Sequence, residues 1–160
     1  MLVIVSFLLF LSACDKERVA YSLLDRNGLK YEVNQEKPYT GKLITYHSNG
    51  QRAFEANYKD GKQHGLTTLW YEDGQKSMVI NYKDGKEHGL TTMWDLNGQK
   101  FTATNYKDGK QHGLTTGWSG SGRKVFEINY KDGKRHGLTT KWNIMGKNKH
   151  KENYINGVKQ

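Results

Sequence analysis

The chain has few apolar residues for its length, and this shortage limits the folds it can adopt. Apolar residues make up 35% of the 160 residues, against 26% that are charged. That balance excludes a thick two-sided core, but it leaves enough apolar side chains to cover one face of a sheet. The one long apolar stretch, residues 2–11, is too short to cross a bilayer core of ~30 Å, which disfavours an uncleaved membrane helix.

Acidic residues are also in deficit. The chain has 16 Asp and Glu against 25 Lys and Arg, and its net charge is +9. A protein this basic is expected to be attracted to acidic surfaces. Lipid head groups, nucleic acid and acidic proteins all offer such surfaces, and charge alone does not choose among them.

Cysteine occurs once, and its position is informative. Cys14 directly follows the apolar stretch, at the end of the run Leu-Ser-Ala-Cys. This run resembles the lipobox of bacterial lipoproteins, in which a signal peptidase cuts before the cysteine and its thiol receives a diacylglyceryl group. No Lys or Arg precedes the apolar stretch, although a secretory signal normally carries one, which leaves open a start a few residues upstream. The alternative is a buried amino-terminal segment with an ordinary free thiol.

We therefore expect residues 1–13 to be a lipoprotein signal peptide and residues 14–27 to be a tether. Cys14 would carry fatty acyl chains such as palmitate, and the full lipoprotein set is needed because one chain anchors only marginally. The protein would then be lipid-anchored in the bacterial cell envelope and face the non-cytoplasmic side. Inner and outer membrane both stay open.

The rest of the chain repeats itself with a spacing of 24 residues. The four tryptophans follow this spacing, as does the run Asn-Tyr-x-x-Gly, which begins at Asn57, Asn81, Asn105, Asn129 and Asn153. Such a period is typical of units that cannot bury their own apolar face and must stack on their neighbours. We expect a repeat array over residues 28–160, with a cap at each end.

Turn signals indicate the secondary structure of each repeat. Asx-Gly pairs such as Asp60-Gly61 and Asp73-Gly74 recur at alternating spacings of 13 and 11 residues. Asx-Gly between β-prone runs is the strongest local hairpin signal, because both residues accept a positive φ. The sequence thus predicts an all-β fold, a single-layer antiparallel meander of hairpins, with residues 28–33 adding a leading strand.

Alternation along the strands predicts which face is packed. In the run Gly-Leu-Thr-Thr-x-Trp, Leu66, Thr68 and Trp70 share one face. We expect that face to be packed against Met78 and Ile80 through a three-residue turn with a left-handed Gly74. Stability would then depend on a structural aromatic stripe that consists of Trp70, Trp94, Trp118 and Trp142.

The segment Tyr-Lys-Asp-Gly-Lys-x-His-Gly, which begins at Tyr58, Tyr82, Tyr106 and Tyr130, closely resembles the MORN repeat. The whole unit looks most like the bacterial variant of that repeat, often labelled as the antitoxin component of a toxin-antitoxin system. This resemblance covers about residues 28–159. It implies an array of β-hairpins that serves in binding, scaffolding or membrane contact. The usual Gly-x-Gly after the histidine is here Gly-Leu-Thr, so lipid-binding properties of the standard repeat carry over poorly.

Catalytic and metal sites are disfavoured by the repetition itself. Equivalent histidines, at positions 64, 88, 112 and 136, lie two strands apart, ~9.6 Å by strand spacing, which is too far for one Zn²⁺ with ligands at ~2.1 Å. We expect them to bond within their own turns. A catalytic site needs unlike groups at one place, whereas a repeat distributes like groups evenly. We therefore predict no catalytic residue, no metal, no cofactor and no enzyme activity.

The lysines around the Asp-Gly turns are the candidate binding surface, an edge for anionic partners. With one Asp in each turn, each motif contributes one net positive charge about every 10 Å, close to the Debye length of ~10 Å at 0.1 M salt. The alternative is that these lysines only solvate the edge and prevent further strand pairing. The candidate edge consists of Lys59, Lys62, Lys83, Lys86, Lys107, Lys110, Lys131 and Lys134.

Together these features predict a non-catalytic, membrane-anchored lipoprotein whose repeats bind or scaffold an unknown protein partner. One alternative is an antitoxin-like protein that neutralises a toxin, which conflicts with export because a cytosolic toxin cannot be reached from outside. Another is a binder of anionic lipid or another acidic surface through the lysine edge. Nucleic acid is disfavoured, both by export and because the aromatic side chains are assigned to the packed face.

Overall fold

The computed structural model describes residues 18–143 and 149–160, which form strands and turns and no helix. In this part of the chain, therefore, nothing helical is long and apolar enough to cross a membrane. The predicted signal peptide and Cys14 lie outside the described residues. The strands are β1 Val19–Ala20, β2 Leu24–Arg26, β3 Leu29–Tyr31, β4 Gly41–Tyr46, β5 Arg52–Lys59, β6 Lys62–Trp70, β7 Lys76–Lys83, β8 Lys86–Glu87, β9 Gly89–Trp94, β10 Lys100–Lys107, β11 Lys110–Trp118, β12 Lys124–Lys131, β13 Lys134–Lys141, β14 His150–Ile155 and β15 Val158–Lys159.

Thirteen of these strands form one sheet, and from β4 onward neighbours in sequence are neighbours in space. From β4 to β15 every pairing is antiparallel, with two strands to each repeat, and β8 and β9 together take the place of one longer strand. The predicted all-β meander of hairpins is confirmed. Short Asx-Gly turns produce this order because each one returns the chain beside the strand it has just left.

The amino-terminal end of the sheet differs from the prediction. Residues 28–33 do not lead the meander, because β3 pairs with β2 in a separate two-stranded hairpin. Residues assigned to the tether instead supply β1, which pairs in parallel with β4. Ala20 of this strand is buried in a small cluster with Tyr39, Ala56 and Tyr58. The hydroxyl of Tyr39, a buried residue, shares its one proton between the carbonyls of Lys42, at 2.8 Å, and Arg18, at 3.0 Å, so this end is closed by a packed cap.

Two kinds of turn alternate along the array. At Asp60-Gly61 both residues have positive φ, 49° and 76°, as a two-residue type I′ turn requires, and the later Asp-Gly turns repeat these angles. At the opposite edge Tyr71 N donates to Gln75 O and Gly74 N donates to Tyr71 O, with φ 85° at Gly74. This confirms the three-residue turn predicted there.

A bulge after the three-residue turn reverses the predicted faces. Trp70 pairs with Lys76, but Leu69 pairs with Met78, so Ser77 is an extra residue on β7. Directly paired residues share a face, which places Met78 with Leu69 and not with Trp70. The same bulge recurs one repeat later at Phe101. The expectation that Trp70 faces Met78 and Ile80 is therefore wrong.

The sheet consequently has two faces of different character. We call the first the tyrosine face; its central row includes Ala56, Thr67, Ile80, Thr91, Thr104, Thr115, Ile128 and Thr139, all buried. The second, the tryptophan face, carries the four tryptophans, which are half-buried, and the exposed Leu66, Leu90, Leu114 and Leu138. The predicted packing of the leucines is wrong, because these four side chains are exposed.

Gly117 occupies the position that Leu69 and Met93 hold in the two preceding repeats, and its packing explains why this repeat has no side chain there. The ring of Phe126, its cross-strand partner, lies over this glycine, and a Cβ at position 117 would overlap the ring. Gly117 is buried, and its size fits the phenylalanine opposite.

The carboxyl-terminal strand ends the array with polar side chains. Glu152 of β14 occupies the row of Thr139, where the preceding repeat has Ile128. Its carboxylate accepts hydrogen bonds from Lys159 Nζ at 2.7 Å, Tyr154 OH at 2.9 Å and His150 Nε2 at 3.2 Å. These hydrogen bonds, of which the one from Lys159 has the largest effect, lower the pKa of Glu152 to about 2. A charge held in this way leaves no apolar row on which another strand could stack.

Candidate functional site

The lysines of the Asp-Gly turns all lie on one edge of the sheet, which we call the lysine edge. In each hairpin the two lysines pair directly across the turn, as Lys59 does with Lys62 and Lys83 with Lys86. All eight candidate lysines are exposed. Like charges opposite each other are unfavourable in a hairpin, so the turn holds them together at a cost. Such paired cations are suited to an anionic partner that bridges them.

Backbone hydrogen bonds fix the spacing between successive tips of this edge. The Gly85 amide donates to the Gln63 carbonyl at 2.9 Å, and Gly109 donates to Glu87 in the same way. These bonds depend on a kink in each long strand: Thr67 pairs with Ala56 and Gln63 pairs with Tyr58, which leaves two extra residues on β6. Gly65, with φ 87°, lies in that kink. The tips therefore form one continuous row.

Each histidine of the repeat bonds to the next turn, not to its own as the sequence interpretation proposed. His64 Nδ1 lies 3.3 Å from Asp84 Oδ1, and the pairs His88 with Asp108 and His112 with Asp132 repeat this geometry. At the last turn the Asn156 amide donates to His136 Nδ1. Within residues 18–143 and 149–160, no group of three His, Cys, Asp or Glu side chains comes together as a metal site. The histidines thus connect neighbouring repeats.

Three of the turn aspartates combine the histidine contact with a backbone role. Asp60, Asp84, Asp108 and Asp132 all have a φ near 50°, a conformation that Asp and Asn tolerate better than most residues. Shallow hollows between the tips are lined by the lysines and these carboxylates, for example Lys62, Lys83, Asp84, Lys86 and Asp108. Each hollow offers paired lysine ammonium groups to an anion, and the aspartate carboxylates beside them reduce its net positive charge.

The sequence interpretation missed a second row of polar and charged side chains, which lies on the tyrosine face beside the tips. Directly across each hairpin from Tyr58, Tyr82, Tyr106 and Tyr130 lie Gln63, Glu87, Gln111 and Arg135. These are the variable x of the repeated Tyr-Lys-Asp-Gly-Lys-x-His-Gly segment. Variation at one fixed place in an otherwise constant motif was the signal available. The row therefore places amide, acid and guanidinium groups between phenols.

The tryptophans alternate with cations along the other face. Trp70 pairs with Lys76, Trp94 with Lys100 and Trp118 with Lys124. The stripe of four tryptophans thus exists, but it lies on the face opposite to the tyrosines of the repeated motif. The single packed aromatic face that the sequence predicted is wrong, and its indoles are only half-buried.

The comparisons with known proteins agree with this architecture. The family model described as the MORN repeat variant matches residues 39–60 and 63–84. These two segments are similar to that repeat, and together they cover just over a quarter of the chain. Each match spans one three-residue turn and ends at the aspartate of the following Asp-Gly turn, Asp60 or Asp84. The same pattern recurs around Tyr106 and Tyr130 with the same hairpin geometry. MORN repeats commonly serve as protein-binding or membrane-binding modules. No curated protein matches the chain.

Proposed function

We propose that this chain is a non-catalytic MORN-type scaffold, anchored in the bacterial cell envelope by acyl chains on Cys14, that binds a protein partner on the non-cytoplasmic side. The observation that carries the proposal is the lysine edge: identical tips are bonded backbone to backbone, so the spacing of the exposed groups is fixed. Fixed spacing lowers the ordering cost of binding an extended partner. Even distribution of like groups supports a non-catalytic role.

The anchor is tested by metabolic labelling with a fatty-acid probe, comparing the wild-type chain with Cys14→Ala. We expect label and membrane association in the wild type and neither in the variant. A wild-type chain that stays unlabelled would contradict the anchor and favour the cytosolic, antitoxin-like alternative. This experiment reports on the anchor and leaves the binding role to a separate test.

The binding role is tested by photo-crosslinking in intact cells. A photoreactive residue replaces Lys110 on the lysine edge or, as the matched control, Leu96 on the opposite edge; both side chains are exposed. A scaffold that presents the lysine edge should give a discrete crosslinked species from position 110 and little from position 96. Equal, diffuse crosslinking from both positions would contradict a specific partner at this edge.

A second candidate function is binding to an anionic lipid surface, favoured by the eight exposed lysines that lie in opposed pairs on one edge. Each lysine near an anionic bilayer contributes about 1 kcal/mol. Changing Lys86 and Lys110 to Gln should therefore weaken binding to phosphatidylglycerol-containing vesicles roughly ten-fold or more.

The matched control for this test changes Lys76 and Lys100 to Gln. These lysines pair with Trp70 and Trp94, so the same charge is removed from the tryptophan face. Sedimentation with vesicles, with and without phosphatidylglycerol and at two salt concentrations, gives the readout. Equal losses in the two double variants, or binding indifferent to anionic lipid, would reject the lysine edge as the lipid-binding surface.

A further inference from the structure

A half-buried carboxylate lies in the row of phenols on the tyrosine face. Glu87 pairs directly across its hairpin with Tyr82. The Gly109 amide donates to the Glu87 carbonyl at 2.9 Å, which brings the hairpin that carries Tyr106 beside Glu87. Burial is the main cause of the raised pKa of Tyr82 and Tyr106, and the negative charge of Glu87 raises both further. Its own pKa is raised by desolvation. The equivalent positions one repeat to either side hold the neutral amides Gln63 and Gln111.

The carboxylate of Glu87 has no cationic partner in the part of the chain that the structure describes. This is unexpected in a protein with 25 Lys and Arg. Partly buried carboxylates are normally paired or hydrogen-bonded, because removal from water costs free energy that a partner must offset. The neighbouring repeats avoid this cost by using glutamine. The acid at position 87 is therefore a departure that folding alone does not explain.

A later copy of the same position shows what fits between two phenols. Arg135 lies 48 residues beyond Glu87 and takes its place between Tyr130 and Tyr154. Its guanidinium carbon is 5.4 Å from the centre of the Tyr154 ring, and Nη1 donates to the Tyr154 hydroxyl at 3.4 Å. A hydrogen bond with Tyr130, and a second with Tyr154, raise the pKa of Arg135. The row thus already accommodates one guanidinium, supplied by the chain itself.

We propose that Glu87, Tyr82 and Tyr106 form a binding site for an arginine side chain of a partner protein. The carboxylate provides two acceptor oxygens for the planar fork of donors, and the two phenols provide ring faces for the cation. Lysine fits less well, because its compact ammonium cannot bond bidentately or stack. The site uses the tyrosine face and none of the groups of the anchor or of the lysine edge, so this proposal holds whether or not those proposals do.

Electrostatics also limits the kind of partner. Lys83 and Lys86 flank the site at the tip, and the whole chain carries a net charge of +9. A strongly basic segment would be repelled over roughly a Debye length, ~10 Å at 0.1 M salt. The fitting ligand is a single arginine in a neutral or acidic segment, whose acidic residues can meet the lysines while the arginine reaches Glu87.

The test uses ¹⁵N-labelled full-length protein titrated with N-acetyl-arginine amide as the probe. We expect saturable shifts of the backbone amides at Tyr82, Glu87 and Tyr106, with a Kd on the order of millimolar. The neutral isostere N-acetyl-citrulline amide should bind at least ten-fold more weakly, and N-acetyl-lysine amide several-fold more weakly. Citrulline binding equal to that of arginine would overturn the site, and equal lysine binding would overturn its assignment to guanidinium.

Two substitutions that exchange repeat residues provide the controls. Glu87→Gln installs the residue found at positions 63 and 111, so the fold should be kept, as an unchanged spectrum elsewhere would show; arginine binding should fall at least ten-fold. Gln111→Glu should create a second site between Tyr106 and Tyr130, with new saturable shifts there. Unchanged binding in Glu87→Gln, shifts confined to Asp84 and Asp108, or no new site in Gln111→Glu would each contradict the proposal.

Discussion

At Gly117 the strand passes beneath the ring of Phe126, and the absence of a side chain is a packing requirement. We predict that Gly117→Ala destabilises the protein by about 1–3 kcal/mol, because the methyl group overpacks a contact that has no free space. The control is Gly120→Ala, where a Cβ would meet nothing within 4 Å and φ is not positive. Urea unfolding of both variants checks this, and Phe126→Leu should partly rescue the first. Equal stability of the two alanine variants would contradict the packing argument.

The repeated asparagine connects residue chemistry to the strand. The side-chain amides of Asn57, Asn81, Asn105 and Asn129 each donate to the carbonyl of the leucine nine residues later, at 2.7 to 2.8 Å. This bond spans the kink that follows each Asp-Gly turn and satisfies a carbonyl in the irregular segment. The constancy of asparagine in every repeat thus has a local structural cause.

We predict that Asn105→Ala costs about 1 kcal/mol, the contribution of one hydrogen bond, whereas Asn153→Ala is nearly neutral. Asn153 occupies the same position of the motif, but its side-chain amide makes no such bond in the described residues. Thermal or urea unfolding of both variants is the measurement. A loss at Asn153 as large as that at Asn105 would show that asparagine serves another purpose.

The carboxyl-terminal cap should make stability depend on pH. In the folded chain, hydrogen bonds lower the pKa of Glu152 from 4.5 to about 2, and the bond from Lys159 has the largest effect. A depressed carboxyl pKa stabilises the fold above the unfolded value and loses this contribution as pH falls from about 4.5 towards 2. Glu152→Gln should therefore be less stable than the wild type at pH 6, and the difference should narrow below pH 4.5. A difference that stays constant down to pH 2.5 would contradict this role.

Turns could be predicted from the sequence because their chemistry is local. Asp84-Gly85 and Gly74 adopt the positive φ angles that their residue types favour. The register between strands could not be predicted in the same way. The bulge at Ser77 and the kink at Gly65 depend on which residues meet across neighbouring strands. One extra residue exchanges the two faces, so the lysine edge was located correctly and the packed face was not.

The candidate arginine site was missed for a related reason. Position 87 is a single variable residue inside a constant motif, and variation on a repeat surface suggests solvent exposure. Its meaning depends on the tyrosine of the next repeat, Tyr106, which is brought beside it only by stacking of the hairpins. A position-by-position comparison of the repeats identifies Glu87 as the one acidic residue at this position, and the tyrosines of its own and the next repeat then become its candidate neighbours.

At the scale of the whole molecule, each repeat contacts mainly the repeats beside it, since every pairing in the meander joins sequence neighbours. Stability in such arrays is approximately a sum of units and of interfaces between neighbours. Removal of residues 106–129 takes out one full period and joins Asn105 to Tyr130, which restores the Asn-Tyr pair. It also removes Gly117 together with its partner Phe126.

We predict that this 24-residue deletion folds cooperatively, because Thr104 then meets Thr139 where it met Thr115, and the Asp132-Gly133 turn replaces Asp108-Gly109 on the same edge. The m-value and the midpoint of urea unfolding should both fall, since less surface is buried. Deletion of residues 106–117 alone removes half a period and the Asp-Gly turn, so it should disrupt the strands that follow. Circular dichroism and urea unfolding distinguish the two deletion variants. Equal disruption by both deletions would show that coupling extends beyond neighbouring repeats.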